Sequence, residues 1–264
     1  PAGISCGVQL DPLTNYTLTI DATQKDVFGQ TLGKAETLTF RTTDAKPTIS
    51  MESGYFVAEL SRPVIPIWTR NVTSLDVTAI DITQANFHQI APLLDWWDPK
   101  PADLVTAKLT GKKKTVPITG TKNKWGQHSL GAQELFGSAP GPGMYYVEVG
   151  SKEVQKDPYV DGGRQKVLVN FTDIGLVSKL SPSRGLVWAT KLSTGKPLPG
   201  ATITVRDVQG KVTFTGTTDA NGVAVLPPTS KISGKAAVSE DENEWHSEEN
   251  GIRIYAALGN DWTM

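Results

Sequence analysis

Few of the side chains that carry out chemistry stand in combinations that could do so. The chain has one cysteine, Cys6, and three histidines, His88, His128 and His246. None has a second histidine at metal-ligand spacing, and H-E-x-x-H does not occur. A hydrolytic triad can be assembled from distant residues, but it needs an exposed nucleophile, and no G-x-S-x-G turn is found to present one. A single cysteine excludes an intrachain disulfide and leaves the compartment unread. Ile4, Cys6 and Val8 alternate like one face of a strand, where cysteine serves as a small apolar side chain. Residues 240–249 hold six carboxylates, Glu240, Asp241, Glu242, Glu244, Glu248 and Glu249. Ca²⁺ favours such oxygen ligands, but the D-x-D-x-D-G order with its turn glycine is missing. Mutual repulsion then predicts a solvated loop. No catalytic, cofactor-binding or metal-binding residue is expected, and the chain is not expected to be an enzyme.

The best candidate for a contact surface is Trp96-Trp97. Adjacent side chains of an extended segment point apart, so one packs inward while the other stays outside. An exposed indole can anchor a partner or stack on a sugar; a wedge between domains is the blander reading. Trp188 is assigned to the core. Asn15, Asn71 and Asn170 each open an N-x-T sequence, a glycan acceptor in a secreted eukaryotic protein.

The elements that would position these residues are strands. From 201 to 207, Ile203 and Val205 alternate with Thr202, Thr204 and Arg206, the period of a strand buried on one side. Lys196-Pro197-Leu198-Pro199-Gly200 breaks the preceding apolar run, 185–192. Gln209-Gly210 turns the chain, and Val212 and Phe214 continue the apolar face. Asp219-Ala220-Asn221-Gly222 turns it again: the carboxylate bonds the turn backbone and glycine accepts a positive φ. Gly200, Asp219 and Gly222 are therefore the structural turn residues. The same grammar recurs along the chain. Tyr16, Leu18 and Ile20 alternate, as do Leu38 and Phe40, around a turn at 26–29. Strands are expected over 65–72, 75–82, 104–109, 115–118, 144–149, 165–171 and 252–258. Phe87, Ile90 and Leu94 have helical spacing, which Pro92 keeps short.

With 264 residues, 25 glycines and 17 prolines, the chain suits several small sandwiches better than one large core. The domains expected are 1–43, part of an Ig-like domain, then 48–171 and 172–264, with 44–47 as a linker. The net charge of −1 argues against a nucleic-acid surface, which shows a clear basic excess. Lys112-Lys113-Lys114 is a charged edge or hairpin end. No apolar run is long enough to insert into a membrane. The chain starts Pro-Ala-Gly, with neither an initiator methionine nor a signal peptide. It reads as part of a longer protein whose targeting signal lies elsewhere.

The phrases DIGLVSKL, VWATKLSTGKPLPGATITV and GTTDANGVAVLP, in that order, resemble a macroglobulin domain from the amino-terminal part of a bacterial α2-macroglobulin. The likeness covers 171–264 well, 47–170 more loosely and 1–43 by pattern. It implies an all-β fold of tandem immunoglobulin- or fibronectin III-like sandwiches, and a structural arm of a protease inhibitor that traps proteases as a full-length protein. It also implies a periplasmic or envelope location through a lipidated terminus outside these residues. Partners would be neighbouring domains of the same chain and, through the whole protein, proteases. Thioester members of the family carry Cys-x-Glu-Gln; Cys6-Gly7-Val8-Gln9 has Val8 in place of the glutamate, so no thioester is expected. Modular surface adhesins or stalks, and carbohydrate-binding accessory modules relying on Trp96 and Trp97, use similar sandwiches and form the alternative readings.

Overall fold

The computed structural model describes residues 7–87, 111–131, 134–135, 141–154, 164–207, 209–233 and 251–264. Their regular secondary structure is nearly all strand. The chain opens on an antiparallel ribbon, β1 (Asn15–Ile20) with β2 (Glu36–Arg41). Tyr16 stacks on Phe40 across it, with ring centroids 5.8 Å apart. The turn expected at 26–29 forms because Asp26 Oδ1 accepts from both Phe28 N and Gln30 N at 2.9 Å.

Residues 44–47 are fastened to the next unit. Asn71 Nδ2 donates to Ala45 O at 2.7 Å and to Asn123 Oδ1 at 2.8 Å, while Asn123 N donates to Asn71 Oδ1 at 2.7 Å. Asn123 also takes Ala45 N and gives Nδ2 to Asp44. Two side-chain amides thus satisfy the backbone of a stretch that has no ladder of its own.

The first sandwich packs two sheets. One orders β3 (Thr48–Met51), β5 (Val64–Arg70) and β8 (Gly126–Gly131). The other orders β4 (Gly54–Glu59), β10 (Gln165–Thr172), β9 (Gly143–Gly150), β6 (Ser74–Ile82) and β7 (Lys112–Pro117). The β4–β10 pair is parallel. Facing side chains such as Ile65, Ile67, Leu75, Val147, Val169 and Phe171 fill the core between them. Lys112, Lys113 and Lys114 lie exposed on β7, the sheet's edge, where charge discourages pairing with another chain.

The second sandwich has β11 (Ile174–Leu180), β12 (Gly185–Lys191) and β15 (Val223–Leu226) in one sheet. The opposite sheet orders β14 (Val212–Thr217), β13 (Thr202–Asp207), β16 (Ile252–Leu258) and β17 (Asp261–Thr263). Ile203 and Val205 of β13 point inward, as their alternation requires, onto Val187, Ala189, Ala224 and Leu226. The β13–β14 register shifts at Val205/Arg206; Phe214 packs on the core and Val212 is left exposed. One short helix, α1 (Thr229–Ile232), sets Ile232 against the same core.

Trp188 is a correction. The apolar run 185–192 is a strand buried on one side only, with Gly185, Val187 and Ala189 inward. Trp188 faces out, 43% exposed, and its Nε1 donates to Asn221 O at 3.1 Å. Register sets Val177, Leu186, Val223 and Val225 on the same outer face. With Val187 and Ala189 turned into the core, the alternation of the strand puts Trp188 on the opposite face. The strand expected at 104–109 and most of the expected helix around Phe87 lie outside the described residues.

Candidate functional site at the junction of the sandwiches

A single residue, Asp173, separates β10 from β11, so one strand leaves the first sandwich and enters the second almost without interruption. Around it, residues from both units interlock. Asp261, at the start of β17, accepts Thr172 Oγ1 at 2.6 Å and Asp173 N at 2.9 Å. Thr172 is wholly buried and its hydroxyl oxygen accepts Ile174 N at 2.9 Å. The carboxylate of Asp173 turns the other way and takes Ser193 N at 2.7 Å and Ser193 Oγ at 2.9 Å. Tyr55, on β4, makes the second polar tie. Its hydroxyl accepts Asn170 Nδ2 at 3.1 Å, lies 3.2 Å from Thr263 Oγ1 and donates to Met264 O at 3.3 Å.

Beside this network the outer face of the five-stranded sheet is covered by the second sandwich. Ile80, Ile82, Phe87, Met144, Tyr146 and Leu168 meet Tyr255, with Trp262 and Met264 packed on the same cluster. Tyr255 lies edge-on to Phe87 at 6.3 Å and tilted against Trp262 at 6.0 Å. The Arg253 guanidinium lies 5.4 Å from the Phe87 ring centroid. Burying one such large side chain contributes about 2–3 kcal/mol, against about 1 kcal/mol net for a typical hydrogen bond. The apolar half therefore supplies most of the adhesion. The carboxylate and hydroxyl ties, being directional, set the angle.

Burial also marks the titration of this cluster. It pushes the Tyr255 hydroxyl up from 10.0 to about 12, outweighing the opposing pull of Arg253 and Arg206. Tyr145, in the core of the first sandwich, moves in the same direction, through burial first and the charge of Asp81 second. The folded chain keeps the Tyr255 proton after the unfolded chain has lost it. The corresponding stability is full below pH 10 and disappears as the pH climbs to about 12. Alkaline denaturation followed by circular dichroism should show this limb, and Tyr255→Phe should flatten part of it. A variant profile that superposes on the parent's would show that Tyr255 does not contribute.

The turn residues read from sequence come together a short distance away. Gly200 takes φ +76° and Gly222 φ +73°. Asp219 Oδ1 accepts Asn221 N and Val223 N, both at 2.9 Å. Thr218, which no sequence pattern marks, locks the two turns to each other. Its buried hydroxyl donates to Leu198 O at 2.7 Å and accepts Ala201 N at 2.9 Å. The segments GKPLPGA and TDANG are thus two halves of one knot.

Trp96, Trp97, Cys6, His88, His246 and the acidic stretch 240–249 lie outside the described residues. His128 pairs its Nε2 with Thr69 Oγ1 at 3.0 Å. Among the described residues, no group of three histidine, cysteine or acidic side chains is placed to hold a metal ion. No helix among them is long and apolar enough to cross a membrane. Asn170 is wholly buried, which closes it to a glycan, and its Oδ1 has no partner. Tyr55, Tyr255, Asp261 and Trp262 carry no signal that singles them out in the sequence. The strand expected over 252–258 includes Tyr255, but nothing local marks what it meets.

Residues 171–248 match the family model of the bacterial α2-macroglobulin MG3 domain. An α2-macroglobulin homolog of Nostoc sp. (strain PCC 7120 / SAG 25.82 / UTEX 2576) is 27% identical over 238 residues, which cover 81% of this chain and 11% of the relative. The chain thus spans about a tenth of that relative's length. The crystal structure of native Escherichia coli α2-macroglobulin spanning domains MG0-NIE-MG1 superposes with a TM-score of 0.58 at 16% identity, covering 96% of this chain and 75% of that one. The E. coli structure spanning NIE-MG1 gives 0.59 at 14% identity, covering 83% and 96%. These superpositions establish the fold, tandem macroglobulin-like sandwiches. The sequence matches point the same way: over 171–248 the chain is similar to a bacterial α2-macroglobulin MG3 domain, and over 238 residues to a bacterial α2-macroglobulin homolog.

Proposed function

We propose that these residues form a structural arm of a bacterial α2-macroglobulin-like protease inhibitor, acting by holding the frame of a longer protein that traps proteases. The observation that carries this reading is the junction. Two sandwiches share an apolar cluster built from both, tied by Asp261 and Tyr55. A rigid elbow of this kind suits a part that transmits a shape change and performs no chemistry. The bare outer face of β11, β12 and β15 suits the same role. It presents Val177, Leu186, Trp188 and Val225 to solvent, in the manner of the five-stranded sheet's outer face before Tyr255 and Trp262 cover it. Its occupant is a further sandwich of the same longer chain. The setting is the periplasm or cell envelope, with anchoring through a lipidated terminus of the whole protein.

The chain alone is expected neither to hydrolyse substrates nor to shield a protease, because enclosure needs many domains moving together. The test mixes the purified chain with trypsin and follows cleavage of a small chromogenic substrate and a large protein substrate. Both rates should stay unchanged. Selective loss of cleavage of the large substrate would place a protease-binding site within these residues and overturn the purely architectural reading.

A further inference from the structure

We propose that the cleft between the β1–β2 ribbon and the first sandwich binds a carboxylate-bearing peptide segment, held by Arg41 and Arg70 with Trp125 as its apolar wall. The cleft has a volume of about 600 Å³ and is lined by these three residues together with Asp11, Thr42 and Asn123.

Three independent observations converge there. The first is charge. Arg41 uses only Nε, toward Leu13 O at 3.3 Å, and Arg70 uses only Nε, toward Lys46 O at 3.4 Å. Among the described residues neither has a carboxylate partner, so the terminal nitrogens of two guanidinium groups are left to a ligand. That fork is the geometry that takes a carboxylate through paired hydrogen bonds. The second is the aromatic wall. Arg70 Cζ lies 5.0 Å from the Trp125 ring centroid, yet Trp125 remains 50% exposed. The guanidinium is steadied by the ring, and the rest of the indole is free to take apolar contact.

The third observation is strain. Among the described residues three non-glycine residues have positive φ: Leu13 at 54°, Asn71 at 56° and Asn123 at 65°. All three sit at this cleft. Asn123 lines it, Leu13 offers the carbonyl that holds Arg41, and Asn71 follows Arg70 and clasps Asn123. Left-handed backbone is unfavourable for a side chain as large as leucine, and such residues gather where a fold holds a site in shape. Asp11 limits the ligand. One carboxylate on the wall repels dense polyanions while tolerating an isolated acidic side chain, and it offers an acceptor for a peptide N–H. The site stands independently of the role proposed above for the chain.

The probe is acetyl-Glu-Phe-Glu-amide, titrated into ¹⁵N-labelled protein while the Trp125 indole N–H resonance is followed. Trp125→Phe assigns that resonance. Acetyl-Gln-Phe-Gln-amide and sodium sulfate at matched ionic strength are the comparison arms. The Glu peptide should shift the resonance saturably and the other two should not. Arg41→Gln/Arg70→Gln should weaken binding about 10-fold or more, with the remaining amide spectrum unchanged. Arg41→Lys/Arg70→Lys, which keeps charge and loses the fork, should fall between. Failure of the Glu peptide to saturate, equal binding of the Gln peptide, a saturable shift with sulfate alone, or full binding by the glutamine double variant would each overturn the proposal.

Discussion

Gly222→Val should cost the second sandwich about 3 kcal/mol or more, far beyond the ordinary toll of a positive φ. A Cβ at this position would stand 2.3 Å from Ala189 O, 2.9 Å from Leu198 N and 3.3 Å from Pro197 Cα. None of these can swing aside, because all three are backbone. The same backbone carries hydrogen bonds that the intruding atom would break: Ala189 N donates to Gly222 O at 2.8 Å, and Leu198 N donates to Ala189 O at 2.9 Å. Gly200 provides the control. Its φ of +76° is as left-handed, but a methyl group there would meet nothing within 4 Å, so Gly200→Ala should cost only about 1 kcal/mol. Urea denaturation of both variants separates the effects. Equal shifts in midpoint would mean that backbone conformation alone sets the cost, and that the close approach at Gly222 contributes nothing.

Tyr255→Ala is the second large effect, at about 3–5 kcal/mol. Tyr255 is 1% exposed and touches residues of both sandwiches. Its loss should do more than lower stability. The parent chain is expected to unfold both sandwiches together, since each buries the other's surface. Without the ring, calorimetry should resolve two transitions, the second sandwich melting first. Asp261→Ala tests the polar half and should cost about 1–3 kcal/mol by stranding Thr172 and the Asp173 amide. A Tyr255→Ala variant that still melts in one undivided transition would show that cooperativity travels by another route.

Much of the second sandwich is legible in the sequence, because its strands are exposed on one side and alternate accordingly. Residues 201–207 are an instance, and the turns at Gly200 and Gly222 follow from chemistry confined to a few neighbouring residues. Trp188 defeats the pattern for a physical reason. A run such as 185–192 is apolar on both faces, so period carries no signal, and the inward face is decided by the opposite sheet, onto which Val187 and Ala189 pack. Strand β8, Gly-Gln-His-Ser-Leu-Gly, escapes detection because it is polar and short, held by pairing with β5. The junction is illegible for another reason. Tyr55 and Thr263 meet across 208 residues, and Thr172 meets Asp261 across 89. No local pattern encodes such distances. The cleft at Arg41 and Arg70 shares that property, since its walls come from segments on both sides of the fastened linker.

The passage of β10 directly into β11 makes the joint a splice that can bear tension. Inside the first sandwich β10 is flanked on both sides, by β4 and β9. Its ladder bonds lie across the strand axis. Tension along the chain at Asp173 therefore loads two rows of hydrogen bonds in shear, all at once, where a pull at a hairpin end would open them singly. The Tyr55–Thr263 tie fastens β17 of the second sandwich to that same sheet, alongside β10. A pull on the last strand is thus delivered to the strongest part of the neighbouring unit, and the pair yields as a beam and not as a hinge.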